Sequence, residues 1–318
     1  MTIETPTIIA VVGPTASGKS ALAVALAKRL SGEIVSCDSM QIYRGMDIGT
    51  AKPTKEDMGG IPHHLLDVAD AEQSFSCAEY VSLASSCIQD VLSRGRLPIL
   101  CGGTGLYLDA LLRGGFSEEN ACVPKLRQEL LQYAKEHGNH ALHERLRAVD
   151  AESADAIHEN NVRRVVRALE IFESTGIPKS EWDRRSKEAP SPYHAIVIGL
   201  SYGDRSILYD RIDQRVDEMI RMGLVEEART LLARGVFKTN STAAAAIGYK
   251  ELFPHLRGEE PLEASIERLK VATRHYAKRQ LTWFSAKGYV HWLEMAPDGA
   301  VIPMEQALDE AERIIRSH

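Results

Sequence analysis

Short β-branched or apolar runs alternate along the chain with longer segments in which apolar residues return every three or four positions. Thr7–Val12, Glu33–Ser36, Leu97–Cys101 and Ala195–Leu200 are the short runs. Bounded by glycine, proline or polar residues, they read as strands of a parallel sheet buried on both faces. Ser20–Leu30 is built of strong helix formers and closes on Lys28 and Arg29, cations suited to a helix C-terminus. A second helix is expected from about Thr104 to Leu112. Ile207–Arg221 places Leu208, Ile212, Val216 and Met219 on one face, and Leu262–Phe284 places Ile266, Leu269, Thr273, Tyr276 and Trp283 on one side. Strands separated by helices predict an α/β fold.

From about Ser117 to Lys187 the strand signal stops. Only helical periodicity remains: Leu126, Leu130, Tyr133; Leu142, Leu146; Val162, Val165, Leu169, Phe172. Gly114-Gly115 and Pro190-Ser191-Pro192 punctuate its ends. We therefore expect a catalytic core of residues 1–116 and 191–318 carrying an all-helical insertion, 117–190, hinged at those two points. The 318 residues suit that division.

Composition adds exclusions. Apolar residues make up 44% and charged residues 26%, as in ordinary globular proteins. No apolar run reaches the ~18 residues of a membrane span, and Glu4 ahead of Ile8–Val12 is unlike the basic start of a signal peptide. Cysteines 37, 77, 87, 101 and 122 are odd in number and lack metal-ligand pairs, which predicts reduced thiols in a cytoplasmic protein. A net charge of −6 argues mildly against a nucleic-acid partner. Lys and Arg number 9 against 13 acids in residues 1–118, 12 against 13 in 119–200, and 17 against 18 in 201–318. The acid excess is thus largely confined to the first third, and a local basic patch elsewhere stays open.

Gly13-Pro14-Thr15-Ala16-Ser17-Gly18-Lys19-Ser20 fits G-x-x-x-x-G-K-[ST] between a strand and a helix. Its backbone amides and helix N-terminus suit a phosphate, Lys19 supplies a point charge, and the Ser20 hydroxyl suits Mg²⁺. Nucleotide hydrolases of this class usually carry an acid at the end of a later strand. Here Leu97–Cys101 runs into Gly102-Gly103 without a carboxylate. The well-placed carboxylate is Asp38, just past the second strand, where open α/β sheets bind ligands; a turn or N-cap aspartate is the alternative. This combination favours a diphosphate held as a leaving group.

Two basic clusters follow. Residues 268–279 contain Arg268, Lys270, Arg274, Lys278 and Arg279 with no acid. Lys270, Arg274 and Lys278 share one helix face, a spacing that like charges disfavour unless something anionic meets them; placement near a helix C-terminus is the alternative. Arg163, Arg164 and Arg167 lie in the insertion, where Glu159 and Glu170 could neutralise them.

GPTASGKS at Gly13–Ser20, DSMQIYRGMDIGTAKP at Asp38–Pro53, HHLLDV at His63–Val68 and GGTGLY at Gly102–Tyr107 occur in that order. RIDQRVDEMIRMGLVEE at Arg211–Glu227, IGYKE at Ile247–Glu251 and AKRQLTWF at Ala277–Phe284 follow. Together they resemble the tRNA dimethylallyltransferase family over nearly the whole chain. The resemblance implies a P-loop NTPase-like core that transfers a dimethylallyl group from dimethylallyl diphosphate to N6 of the adenosine 3′ of the anticodon, in tRNAs reading U-starting codons. It also implies Mg²⁺, a monomer, and extrusion of the target base.

By the same resemblance, Gly13, Thr15, Ala16, Ser17, Gly18, Lys19 and Ser20 hold the diphosphate, with Ser20 on the metal. Arg215, the second arginine of R-x-x-x-R, neutralises the leaving group; pairing with Asp213 or Asp217 is its alternative. Asp38 becomes the general base, and Thr104 touches the target base, with helix capping as a compatible second role. Contacts to tRNA are implied for Asp38, Ser39, Met40, Gln41, Arg127, Val162, Arg163, Arg164, Val165, Val166, Ile247, Gly248 and Tyr249. They are also implied for Arg274, Lys278, Arg279, Gln280 and Trp283. His63 and His64 read as structural. A small-molecule P-loop kinase, an adenylate isopentenyltransferase acting on free AMP, ADP or ATP, and a non-enzymatic RNA-binding protein are the rivals. The missing strand-end acid, the basic helix with the insertion, and the intact Lys19-Ser20 with Asp38 weigh against them in turn.

Overall fold

A computed structural model describes residues 5–113, 124–188 and 190–318. The chain divides into two compact units, Met1–Leu111 with Tyr193–His318, and Leu112–Pro192. The expected insertion limits, 117–190, fall within a few residues of the second unit's. Gly114, Gly115 and Cys122 lie outside the described residues.

In the first unit six strands form a wholly parallel sheet: β1 (Thr7–Val12), β2 (Gly32–Ser36), β3 (His63–His64), β4 (Leu97–Gly102), β5 (His194–Ser201) and β6 (Val290–Glu294). Their order is β3-β2-β4-β1-β5-β6. β1 is central, with Ile9 opposite Ile99 of β4 and Ile196 of β5. Helices cover the faces, which is why β1, β2, β4 and β5 carry largely continuous apolar runs rather than alternating ones.

Helix α1 (Lys19–Arg29) lays Leu22, Ala23 and Leu26 on the sheet. Each fully buried leucine contributes roughly 2 kcal/mol of transfer free energy. Next come α2 (Cys77–Ser93), opened by a Ser76/Glu79 capping box, and α3 (Gly105–Leu112). The second unit is helical: α4 (Pro124–Val149, kinked at Gly138), α5 (Ala151–Ala156), α6 (Val162–Thr175) and α7 (Lys179–Glu188). Leu130, Leu142, Leu146, Val165 and Leu169 form its core. The first unit resumes with α8 (Arg205–Met222), α9 (Leu224–Ala233), α10 (Leu262–Ser285) and α11 (Met304–Arg316). Among the described residues, no helix is long and apolar enough to cross a membrane.

Two strands escape the pattern reading. β3 is only two residues long, and β6 (VHWLE) is a half-exposed edge strand with no continuous apolar run. His63 and His64 are the whole of β3. His63 Nδ1 lies 2.8 Å from the Ile61 carbonyl, and His64 Nε2 lies 2.8 Å from a Glu33 carboxylate oxygen. Glu33 also accepts from Arg94, and these donors hold its carboxyl down to about 2. The two histidines anchor a sheet edge, in keeping with a structural reading.

Of the expected apolar face of α10, Leu269 is buried, Ile266, Thr273 and Tyr276 are half-buried, and Trp283 is exposed. Ser265, Leu269, Ala277, Gln280 and Phe284 are the helix's buried positions, whereas Trp283 is 37% exposed. A buried glutamine broke the hydrophobic periodicity and hid the true inward face.

Candidate active site

The C-terminal ends of β1, β2 and β4 lie side by side, and each feeds a loop. After β1, Gly13 (φ +148°), Ala16 (φ +63°) and Gly18 (φ +95°) turn the chain into an amide-lined loop. The left-handed alanine is a conformation a non-glycine residue holds only when its surroundings fix it. Three side chains do so. Thr15 N–H donates to Gln280 Oε1 at 2.9 Å, Arg211 Nε donates to the Ala16 carbonyl at 2.9 Å, and the Tyr202 hydroxyl donates to the Ser17 carbonyl at 2.9 Å. Within the loop, Lys19 Nζ donates to the Pro14 carbonyl at 3.3 Å. The buried Ser17 hydroxyl has no protein partner among the described residues. Burial pulls the Lys19 ammonium below the ordinary lysine value; Arg215 adds to this, while Cys101 and Asp38 oppose it.

The loops after β2 and β4 are stitched together. Cys37 N–H donates to the Cys101 carbonyl at 2.8 Å, and Thr104 N–H returns to the Cys37 carbonyl at 3.2 Å. Gly102 is required here, since a Cβ would stand 2.0 Å from the Cys37 carbonyl oxygen. Thr104 Oγ1 accepts from Ser39 N–H at 3.0 Å and donates to Ser39 Oγ at 3.3 Å, so its hydroxyl serves the neighbouring loop. Asp38 Oδ1 accepts from Met40 N–H at 2.9 Å. Asp38 Oδ1 thus closes a turn onto Met40.

Arg215 lies in the field of Asp38, Arg211 and Asp57; burial lowers its pKa and Asp38 raises it. It makes no ion pair with Asp213 or Asp217, which are taken by Arg274 (2.6 Å) and Lys270 (2.8 Å). Lys19, Arg215 and Asp38 therefore share one electrostatic neighbourhood at the strand ends.

The segment after Asp38 is braced from the far end of the chain. Glu227, at the start of α9, accepts from Asp47 N–H, Ile48 N–H, Gly49 N–H and the Tyr249 hydroxyl at 2.8–3.0 Å. Gln41 Nε2 donates to the Thr50 and Ala51 carbonyls. Sequence reading missed Arg211, Tyr202 and Glu227. The first arginine of R-x-x-x-R, one turn before Arg215, could have flagged Arg211.

Several residues expected to contact RNA are buried here. Tyr249 is fully buried, its ring packed on Gly49 and its hydroxyl on Glu227. Gly248 is also buried, leaving Ile247 as the partly exposed member of that trio. Gln280 points inward. Val165 and Val166 are core residues of the helical unit, which leaves Val162, Arg163 and Arg164 to present that segment. Arg163 and Arg164 are exposed and make no ion pair among the described residues. Glu170 is instead bound by Arg127 in a two-pronged pair (2.7 and 2.8 Å) and by Arg167, and Glu159 lies against His140.

The acids missing from 268–279 stand on neighbouring segments: Arg268 pairs with Glu260, Lys270 with Asp217 and Arg274 with Asp213. Only Lys278 and Arg279 of that stretch are exposed without an ion pair among the described residues, Arg279 lying over the Tyr276 ring. Trp283 packs so close to Gly105 that a Cβ there would stand 2.2 Å from its ring.

Among the described residues, no group of three or more His, Cys, Asp or Glu side chains could hold a metal ion alone. Mg²⁺ keeps several waters and takes most remaining ligands from substrate phosphates. Ser20, an exposed residue at the first turn of α1 beside Lys19, carries a hydroxyl that fits that mode.

A parallel sheet whose first strand feeds a glycine loop and a helix N-terminus defines the P-loop NTPase-like class, here without the strand-end carboxylate used in nucleotide hydrolysis. Within it, the chain belongs to the IPP transferase family, whose profile matches residues 41–287. The tRNA dimethylallyltransferase of Thermoanaerobacter sp. (strain X514) is 49% identical over 286 residues, 90% of each chain. That of Geobacillus thermodenitrificans (strain NG80-2) is 49% identical over 303 residues, 95% of each chain. The full-length tRNA isopentenylpyrophosphate transferase from Bacillus halodurans superposes with a TM-score of 0.72 at 44% identity, covering 98% of this chain and 96% of that one. A eukaryotic dimethylallyltransferase acting on tRNA superposes with a TM-score of 0.83 at 28% identity, covering 98% and 80%.

Proposed function

We propose that this chain transfers a dimethylallyl group from dimethylallyl diphosphate to N6 of the adenosine 3′ of the anticodon, in tRNAs reading U-starting codons. The observation that carries the reading is the joining of three strand-end loops: Gln280 ties the glycine loop that carries Lys19 to the Gly103-Thr104 loop, and Thr104 in turn bonds Ser39 beside Asp38. In the reaction the allylic C–O bond breaks and its electron pair leaves with the diphosphate. The N6 lone pair forms the new C–N bond, and the N6 proton passes to Asp38. Charge grows on the departing oxygens, where the P-loop amides, Lys19 and Arg215 are preorganised to receive it. Ser20 would hold Mg²⁺, whose Lewis acidity neutralises part of that charge. Thr104 and Ser39, hydrogen-bonded to one another, line the acceptor side of the same loops. No nucleotide hydrolysis is required, and the protein acts as a monomer.

Lys278 and Arg279, exposed and without an ion pair among the described residues, present charge for the RNA backbone, as do Arg163 and Arg164 in the helical unit. Reaching N6 requires extrusion of the base from the anticodon stack. The deciding experiment incubates the protein with dimethylallyl diphosphate, Mg²⁺ and either an unmodified anticodon stem-loop or AMP. A C5H8 mass gain on the stem-loop alone is expected; gain on AMP alone would make it an adenylate isopentenyltransferase. Lys278→Ala is expected to weaken stem-loop binding and to reduce the slope of log affinity against log salt by about one unit. An unchanged slope would remove Lys278 from the RNA contacts.

A further inference from the structure

Gln280 lies on the inward side of α10, 5% exposed, directly after the outward-facing Lys278 and Arg279. Its amide bonds two different loops with opposite polarity. Oε1 accepts from Thr15 N–H in the P-loop at 2.9 Å, and Nε2 donates to the Gly103 carbonyl, next to Thr104, at 3.0 Å. A Cβ on Gly103 would come within 2.0 Å of Gln280 Nε2 and 3.4 Å of the Gly13 carbonyl oxygen. The amide therefore fills the narrowest point between the two loops, and glycine is the residue that leaves it room. Among side chains of this length, glutamine offers an acceptor and a donor from one rigid plane. An ionised glutamate has no donor, and lysine and arginine have no acceptor.

We propose that Gln280 is a positioning residue that sets the distance between the diphosphate grip and the Thr104 loop on the acceptor side. The RNA-facing cations Lys278 and Arg279 thereby share one helical turn with the spacer of the reaction centre. This inference rests on reading the P-loop as the diphosphate site.

Two variants of the full-length protein separate the possibilities. Gln280→Met is nearly isosteric and removes both hydrogen bonds. Gln280→Glu keeps an acceptor for Thr15 but turns an oxygen toward the Gly103 carbonyl. For each, KM for dimethylallyl diphosphate, kcat, stem-loop Kd without the diphosphate and the thermal midpoint are measured. Gln280→Met is expected to raise KM about tenfold and lower kcat about tenfold, the scale of one net hydrogen bond each, with Kd within about twofold of the parent. Gln280→Glu, which sets a negative charge beside the diphosphate site, is expected to raise KM and lower kcat while it is ionised. Its kcat relative to the parent rises as pH falls, because the introduced carboxyl, once protonated, can donate to Gly103.

Weakened stem-loop binding with KM unchanged would overturn the proposal and make Gln280 an RNA contact. A lowered thermal midpoint with a pH-independent kcat ratio would overturn it in favour of a purely structural role. Absence of turnover in the parent protein with dimethylallyl diphosphate would overturn the diphosphate reading first, and this inference with it.

Discussion

Replacing Asp38 with asparagine is expected to lower kcat by about 10²–10⁴ while leaving stem-loop affinity unchanged. The substitution is isosteric, and its amide oxygen still accepts from Met40 N–H, the bond that Asp38 Oδ1 makes at 2.9 Å. The loop carrying Ser39 and Gln41 therefore keeps its shape. The adenine amine is a weak nucleophile that must shed a proton as the C–N bond forms, and an amide cannot accept that proton at the second oxygen's position. Single-turnover transfer measured beside fluorescence-anisotropy binding separates the two effects. A variant with near-normal turnover would remove Asp38 as the base. A loss of binding equal to the loss of rate would make it an RNA contact instead.

Lys19→Met should cost about 10²–10³ in kcat, the scale of losing one preorganised donor to a developing anion, with a raised KM for dimethylallyl diphosphate. The lysine rests on the Pro14 carbonyl at 3.3 Å, and its ammonium is already disfavoured by burial, so an anionic ligand relieves a standing penalty. Methionine keeps most of the volume and none of the charge. Arginine is expected to rescue poorly, because its planar fork cannot take the place of a compact point charge inside the loop. Stem-loop affinity again serves as the control. An unchanged KM and kcat would show that the loop does not hold the leaving group.

How much of this was legible in the sequence differs from link to link. The four long apolar strands and the helices flanking them could be read because each is a run whose periodicity stays intact. β3 and β6 could not, since a two-residue edge strand and a half-exposed one leave no such run. The glycine loop and Asp38 were visible as local motifs. What supports them was not, because Gln280, Arg211 and Tyr202 reach the loop from 185 to 265 positions away. The basic stretch at 268–279 was over-read for a related reason: its acids are not beside it in the chain but across the helix interface, at Asp213 and Asp217. The burial of Tyr249 was not legible, because a motif marks a residue as significant without saying whether it faces solvent or the interior.

The strand order has a consequence for the nascent chain. β1 is the central strand, yet one neighbour, β5, begins at His194, after the whole helical unit has been synthesised. Until then β1 can pair only with β4, and its other side is an open apolar edge of the kind that recruits chaperones or aggregates. The phosphate loop matures later still, since its fasteners at Tyr202, Arg211 and Gln280 emerge last. Premature termination anywhere before α10 therefore yields a chain with a complete glycine motif whose loop lacks the Gln280 fastener at Thr15.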